Sequence, residues 1–555
     1  MRRLPGALAV GLALTMPSGQ EQQGAGRGAS GAQGSKPPPS AAMENLARMM
    51  AMMGAERPAP PPKTDYKFWK TQPVMQLGEQ TPSEASVIHE NMPPERVRQD
   101  AYPLPADFQW VQVDIEDAAQ LKDVYDLLTA NYVEDDDESL RFNYSPEFLK
   151  WVLRHPGYRP TWHVGVRVKS TGKLVAFIAG IPQELRVREQ TFQTTEINFL
   201  CVHKRLRSKR LAPVMIKEVT RQCHLTGIFQ AIYTVGSVLP TPVSCARYYH
   251  RTLNAEKLLD IGFSAVPHGM SRAEHIRRFV LPDATSVPGL REMRVEDVPA
   301  VGRLMRRYMR RFDMAPRFTD TEVAHVLLSG RGEEQADGQR KGQVTWTYVV
   351  DDEETGGVRD MFSFYSLPSS VLNHPKHRTL QAAYLFYYAS DSIFRDPATG
   401  RGGVPPRGDV AAGPSPMQRA VDEGVPAWQR SDRSALSPPE AQDEEGVAPW
   451  DQEDPAAKAQ LKRRLNELMR DMLVIAKRNA FDVVNCLTVM DNALFAQEQK
   501  FGPGDGFLRF YLFNWRVAPI AGGMGSRPGE EELDPAGASS PSPTVRGSGN
   551  GVVMV

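Results

Sequence analysis

Two segments of this chain, about 180 residues apart, repeat one order of elements. Val113-Asp-Ile-Glu-Asp117 leads into the apolar spacing Leu121, Val124, Leu127, Leu128, and Met293-Arg-Val-Glu-Asp297 leads into Val301, Leu304, Met305, Tyr308. Both spacings describe one face of a helix. Downstream, Thr161-Trp162 opens a strand pair turning at Thr171-Gly172-Lys173, and Thr345-Trp346 opens another turning at Thr355-Gly356-Gly357. Each pair runs into an apolar strand that meets a proline, Val175 to Pro182 and Met361 to Pro368. Late in each half, a strand and a short helix precede an aromatic–glycine pair, Gly262-Phe263 and Phe501-Gly502. One unit used twice predicts an α/β chain with a site near the junction of its halves.

Residues 1–62 are rich in Gly, Ala, Ser, Pro and Gln and are expected to be a disordered tail, with Met43 to Met53 as a short Met-rich segment inside it. The halves then run over 63–285 and 286–555, and disordered insertions are expected at 396–455 and 521–550. Leu465, Leu468, Met472 and Ile475 mark a helix over 461–477. Asp65 to Pro73 places three aromatics in four residues, a density that suits docking onto a core.

Chemistry concentrates in Glu196-Ile-Asn-Phe-Leu-Cys-Val-His-Lys204 and the basic run that follows it. An apolar strand gives way to Arg205, Arg207, Lys209 and Arg210, then to a helix opened by Leu211-Ala212-Pro213. Amides at a helix start, with the positive end of its dipole and nearby arginines, suit a phosphate. A solvated basic face is the bland alternative.

The 66 basic and 66 acidic residues cancel, so no global field draws the chain to nucleic acid. Cys201, Cys223, Cys245 and Cys486 contain no CxxC pair, which argues for a reducing compartment and against a zinc site. No run approaches the length of a membrane span. Met1-Arg-Arg before Gly6 to Leu14 resembles a short signal peptide, but the rest reads as a cytoplasmic enzyme.

Two long stretches, Glu196 to Lys204 and Lys500-Phe-Gly-Pro-Gly-Asp-Gly506, resemble the two signatures of the glycylpeptide N-tetradecanoyltransferases, the eukaryotic N-myristoyltransferases. Tyr132-Val-Glu-Asp-Asp-Asp137, Arg141 to Phe148 and Phe364-Tyr-Ser-Leu-Pro368 extend the resemblance, which runs from about Tyr66 to Trp515 outside 396–455. It implies two acetyltransferase-like halves with a mixed sheet and a pseudo-two-fold. It also implies transfer of myristate from myristoyl-CoA, bound first, to the α-amine of an N-terminal glycine. Myristoyl-CoA is then a co-substrate, and no metal takes part. The implied partners are N-terminal-glycine peptides and nascent proteins, with ribosome association by family analogy, and the chain is expected to be a monomer.

The resemblance also assigns residues. The main-chain amides of Phe199 and Leu200 form an oxyanion hole, and the α-carboxylate of Val555 is the base. Tyr66, Lys67, Phe68 and Trp69, with Leu200, Cys201, Val202 and Arg207, Ser208, Lys209, Arg210, Leu211, Ala212 and Pro213, contact the CoA thioester. Asn198 and Thr234 hold the glycine end of the peptide. Tyr132, Phe142, Tyr144, Tyr248, His250, Tyr365, Ser369 and Tyr384 line its path, and Glu134, Asp135, Asp136 and Asp505 meet a basic residue further along it.

The chain runs forty residues past Trp515, further than the family pattern. Either a tail is appended and the base lost, or a loop is inserted at about 521–550 and Gly551-Val-Val-Met-Val555 is a buried end. The second account explains the apolar tip. Two other functions stay open: transfer of a shorter acyl group, and binding of acyl-CoA or peptide without catalysis.

Overall fold

The computed structural model describes residues 66–133, 139–336, 340–352, 357–372, 374–402, 443–523 and 547–555. The N-terminal tail with Met43 to Met53, the acidic run Glu134, Asp135, Asp136, Asp137 and Glu138, and most of both insertions lie outside these residues. The insertions are narrower than expected. Residues 396–402, 443–455, 521–523 and 547–550 are part of the folded structure.

Thirteen strands form one sheet. In chain order they are β1 (Phe108–Gln112), β2 (His163–Val168), β3 (Leu174–Val187), β4 (Gln190–Val202), β5 (Gln230–Val235), β6 (Ser244–Thr252), β7 (Leu290–Glu292), β8 (Met314–Pro316), β9 (Thr345–Asp351), β10 (Val358–Ser366), β11 (Ala382–Ser390), β12 (Val483–Leu487) and β13 (Gly502–Phe513). Their spatial order is β1-β2-β3-β4-β5-β13-β6-β12-β11-β10-β9-β7, with β8 against β3. The repeat is visible here: each half is an antiparallel meander whose last long strand crosses by a helix to a parallel partner. Helix α3 (Leu211–His224) joins β4 to β5, and α5 (Pro455–Arg478) joins β11 to β12. The closing strands are exchanged. β13 of the second half lies between β5 and β6 of the first, so the halves share one sheet.

Helix α1 (Ala118–Asn131) is capped by Asp117, whose carboxylate accepts from the amides of Ala119 and Gln120. Helix α2 spans Pro146–Leu153, and α4 spans Val298–Met309. The apolar positions read from the sequence in α1, α4 and α5 are all buried.

Both crossovers share a further feature. β4 pairs with β5 only over Thr194–Ile197, and β11 with β12 only over Ala382–Tyr384. Just past each parting the long strand bulges. Phe199 and Leu200 together oppose Ile178, and Phe386 and Tyr387 together oppose Ser363. The helix starts differ in chemistry. Asp454 caps α5 with its own carboxylate, and Glu453 beside it bridges Arg311 and Lys458. At α3 the first residue outside is Arg210, left-handed at φ 57°, with no side-chain cap and no acidic residue in the first turn. An anion is favoured at the α3 start and excluded at the α5 start.

Candidate active site

The bulge in β4 puts Phe199 at φ 57°, a conformation that costs a bulky residue about 1–3 kcal/mol and turns successive peptide groups away from the ladder. The Phe199 amide meets the hydroxyl of Tyr132, the residue that closes α1. Burial pushes that phenol well above its usual range, so it stays protonated.

Side chains alternate across a strand, and β4 therefore serves two partly open cavities, one on each face. Thr195 and Ile197, with Ile178 of β3, line the first, which lies under α3 against Ile216, Val219 and Cys223. Trp69 closes it and stacks on Tyr233 at 5.5 Å. Tyr66 bonds the Val238 carbonyl, and Leu200, Val202 and Leu211 share the buried cluster around Trp69. The aromatic segment therefore docks on the core and also walls a cavity. Lys67 and Phe68 flank it, Lys67 exposed and Phe68 half-buried.

The basic run forms a 3-10 turn over Lys204–Lys209, which contains Ser208. Arg207 is turned onto the Asn131 carbonyl at the end of α1, and the Lys204 amide bonds the Asn131 side chain at 3.0 Å. The expected free loop is thus pinned to α1. Lys209 and Arg210 stay exposed, and Ala212 and Pro213 are half-buried at the first turn of α3. The Cys201 side chain faces away from the first cavity, toward the Leu127 carbonyl of α1, and burial lifts its thiol to about 12.

On the opposite face of β4, Asn198 donates to Glu196 at 2.6 Å and Gln183 approaches the other carboxylate oxygen. Burial lifts Glu196 to about 7. Glu196 and Gln183 line the second cavity with Trp151, His155, His325, Tyr387, Val553 and Val555. His155 is lowered to about 4 by burial and by His325, so it is neutral at pH 7. Ile197 pairs with Tyr233 on the first-cavity face, which by alternation turns Thr234 toward the face of Asn198 and Glu196.

The chain end reaches this cavity as a docked strand. Residues 547–555 return beside β8, and Ser548, Asn550, Val552 and Met554 are buried. Met314 donates to the Gly549 carbonyl, the Gly551 amide donates to the Met314 carbonyl, and Met490 donates to the Asn550 carbonyl. The apolar tip is seated, with Val552 and Met554 buried.

The groove residues gather in two sets. Tyr132, Phe142, Tyr144, Tyr365 and Tyr384 form one run of touching rings with Phe148 and Phe199. Ser369 pairs with Phe142 in a small separate sheet. Among the described residues the buried hydroxyls of Tyr144 and Ser369 find no hydrogen-bond partner. The second set is a row across the sheet, Tyr365, Tyr384, Asn485, His250 and Gly502 on successive strands, with Tyr248 two residues from His250. His250 bonds Asn485 at 2.7 Å, and its pKa is lowered by burial against the opposing pull of Asn485 and Asp505. The glycine-rich stretch is a wide bulge in β13 that passes Gly504 against the His250 ring, where a Cβ would lie 2.3 Å from Nε2.

Sequence reasoning missed Gln183, His155, His325, Tyr387 and the role of Glu196, whose motif it had quoted. The 180-residue period aligns β4 with β11 and could have pointed to Tyr387. Among the described residues no group of three or more His, Cys, Asp or Glu could hold a metal ion, and no helix is long and apolar enough to cross a membrane.

An uncapped helix start beside an apolar cavity in a duplicated α/β frame suits a transferase that takes a phosphate-bearing acyl donor. Family models described as "Myristoyl-CoA:protein N-myristoyltransferase", N-terminal and C-terminal domains, match residues 87–246 and 260–537. The chain belongs to that family. A glycylpeptide N-tetradecanoyltransferase of Mycosarcoma maydis is 57% identical over 92% of this chain and 79% of the relative. The enzyme of that name from Candida albicans is 41% identical over 88% and 93%. The crystal structure of Saccharomyces cerevisiae N-myristoyltransferase with bound myristoyl-CoA superposes with a TM-score of 0.72 at 40% identity, over 89% of this chain and 100% of that one.

Proposed function

We propose that this chain transfers myristate from myristoyl-CoA to the α-amine of an N-terminal glycine at the β4 bulge, with the acyl donor on one face of β4 and the peptide and Val555 on the other. Two cavities on opposite faces of β4, one lined by Thr195 and Ile197 and the other by Glu196 and Val555, with the Phe199–Leu200 bulge two residues further along the strand, carry this reading. The first half supplies the cofactor side, and the second half much of the peptide groove.

The CoA phosphates sit at the start of α3, near Lys209 and Arg210. The acyl chain lies in the cavity under Trp69. The amides of Phe199 and Leu200 polarise the thioester carbonyl and stabilise the oxyanion that forms on attack. Asn198 and Thr234 hold the glycine end. A free α-amine has a pKa near 8, so only about a tenth is neutral at pH 7. The Val555 α-carboxylate accepts the ammonium proton in a closed site, where it is a better base than in water. The amine attacks the thioester carbon, the C–S bond breaks and CoA leaves as the thiol. A side chain on the first residue would occupy the space through which the amine must approach, hence the restriction to glycine.

The test is mass analysis of a Gly-Asn-x-x-Ser peptide and its Ala-first counterpart after incubation with the protein and myristoyl-CoA or acetyl-CoA. One myristoyl group on the Gly peptide alone is expected. Equal or preferential acetylation, or binding without transfer, would overturn the reading.

A further inference from the structure

The last nine residues return after a long excursion from Gly523, and their register must be set by contacts rather than by the chain leading in. The sequence Gly547-Ser-Gly-Asn-Gly551 places glycine at every second position, so one face of this extended segment has no side chains. The structure presses that face against Trp450 and the turn Phe312-Asp313. A Cβ on Gly547 would lie 2.4 Å from the Trp450 ring, one on Gly549 would lie 2.1 Å from Asp313 Oδ2 and 2.9 Å from Trp450 Nε1, and one on Gly551 would lie 2.9 Å from Met309 and Phe312. Trp450 Nε1 donates to Asp313 Oδ2 at 3.2 Å, and the Trp450 amide donates to the Arg311 carbonyl at 2.9 Å. Arg311 is itself buried between Glu453 and Asp491. Lys458 of α5 holds the Trp450 carbonyl at 2.7 Å and lies over its ring. The clasp is therefore tied to the core through Arg311 and α5, although Trp450 is half-buried and lies just past an insertion.

We propose that Trp450, through its bond to Asp313, is a positioning residue that fixes the register of the chain end and so the place of the Val555 carboxylate. This rests on Val555 being the base. Slipping the segment by one residue would move its end by about 3.3 Å and exchange its two faces. A shift of about 1 Å in a reacting group can cost about a hundredfold in rate. Within 547–551 only Ser548 and Asn550 carry side chains that resist such a slip, ahead of the seated Val552 and Met554. The Trp450 ring and the Asp313 carboxylate supply the missing teeth.

The experiment is single-turnover transfer with preformed enzyme·myristoyl-CoA, on Trp450→Ala, Trp450→Phe and Gly549→Ala, each with and without one glycine appended after Val555. Trp450→Ala and Gly549→Ala are expected to slow transfer at least about tenfold with myristoyl-CoA affinity unchanged, and Trp450→Phe, which keeps a ring against the glycines but loses the bond to Asp313, to recover only part of the rate. A clasp that fixes register also predicts non-additivity: appending the glycine is severe in the native chain but adds little once the clasp is open. Unchanged rates for Trp450→Ala and Gly549→Ala, or losses that add fully to the extension, would overturn the positioning role while leaving Val555 as base. A harmless extension of the native chain would instead overturn the reading of Val555.

Discussion

The Tyr387 hydroxyl donates to the Val553 carbonyl at 3.2 Å and accepts from the Val553 amide at 3.1 Å. One phenol thus satisfies both polar groups of a residue two positions from the chain end, inside the cavity that Glu196 also lines. Tyr387 sits in the bulge of β11, the counterpart of the β4 bulge. In the proposed mechanism one half turns its bulge to the thioester, and the other holds the segment that ends in Val555.

Tyr387→Phe leaves both Val553 groups without this partner in a buried site. Stability is expected to fall by about 1–3 kcal/mol. Urea unfolding measures that loss, and rapid-quench transfer should show a slower chemical step with unchanged acyl-CoA binding. A full rate in the variant would mean that the clamp does not set the geometry of Val555.

Tyr132→Phe removes the hydroxyl that meets the Phe199 amide in the free protein. In the proposed mechanism the amide gives up this partner to receive the thioester oxygen. Without the competitor, affinity for a non-hydrolysable myristoyl-CoA analogue should rise, by up to about tenfold for one neutral hydrogen bond. Weaker binding, read by calorimetry, would place the thioester elsewhere.

Cys223→Phe fills part of the cavity under α3, which Cys223 lines with Ile216 and Val219. If the acyl chain lies there, the preference for fourteen carbons over ten or twelve should fall or reverse, by about tenfold or more per site blocked. An unaltered chain-length profile with unaltered affinity would remove the acyl chain from this cavity.

Glu196 has its carboxyl lifted by burial to about 7, above its unfolded value. Between about pH 4.5 and 7 the folded state binds more protons than the unfolded state, so this group's effect on stability worsens as pH rises. It is absent below the unfolded pKa and complete above the folded one. Glu196→Gln, which stays neutral and keeps a partner for Asn198, should therefore be near neutral at pH 5 and stabilising by up to about 3 kcal/mol at pH 8. Equal differences at both values, by thermal unfolding, would show that Glu196 titrates normally.

Much of the frame was legible because it rests on local spacing. The helix faces at Leu121 and Val301 and the strand pairs opened by Trp162 and Trp346 are written in periodicity, and the repeat of those periods gave the duplicated architecture. Motif order gave the family, and with it Phe199, Leu200 and the groove aromatics. The boundaries of the insertions were misjudged. Asp443 to Glu453 look like polar linker in composition, yet Asp443, Glu444 and Glu453 are bound to Arg306, Arg317 and Arg311. A long-range ion pair leaves no local pattern.

By itself, then, the sequence determined the elements, their duplication and the phosphate-favouring start of α3, and it left the seating of the apolar chain end as one of two accounts. Only the tertiary structure decided that Phe199 is left-handed at a bulge, that Arg207 is turned onto α1, and that Glu196, Tyr387 and Val555 share one cavity. The reason is distance along the chain. Periodicity reports which face of an element is apolar, whereas partners hundreds of residues apart meet only when the exchanged strands β6 and β13 close one sheet around them.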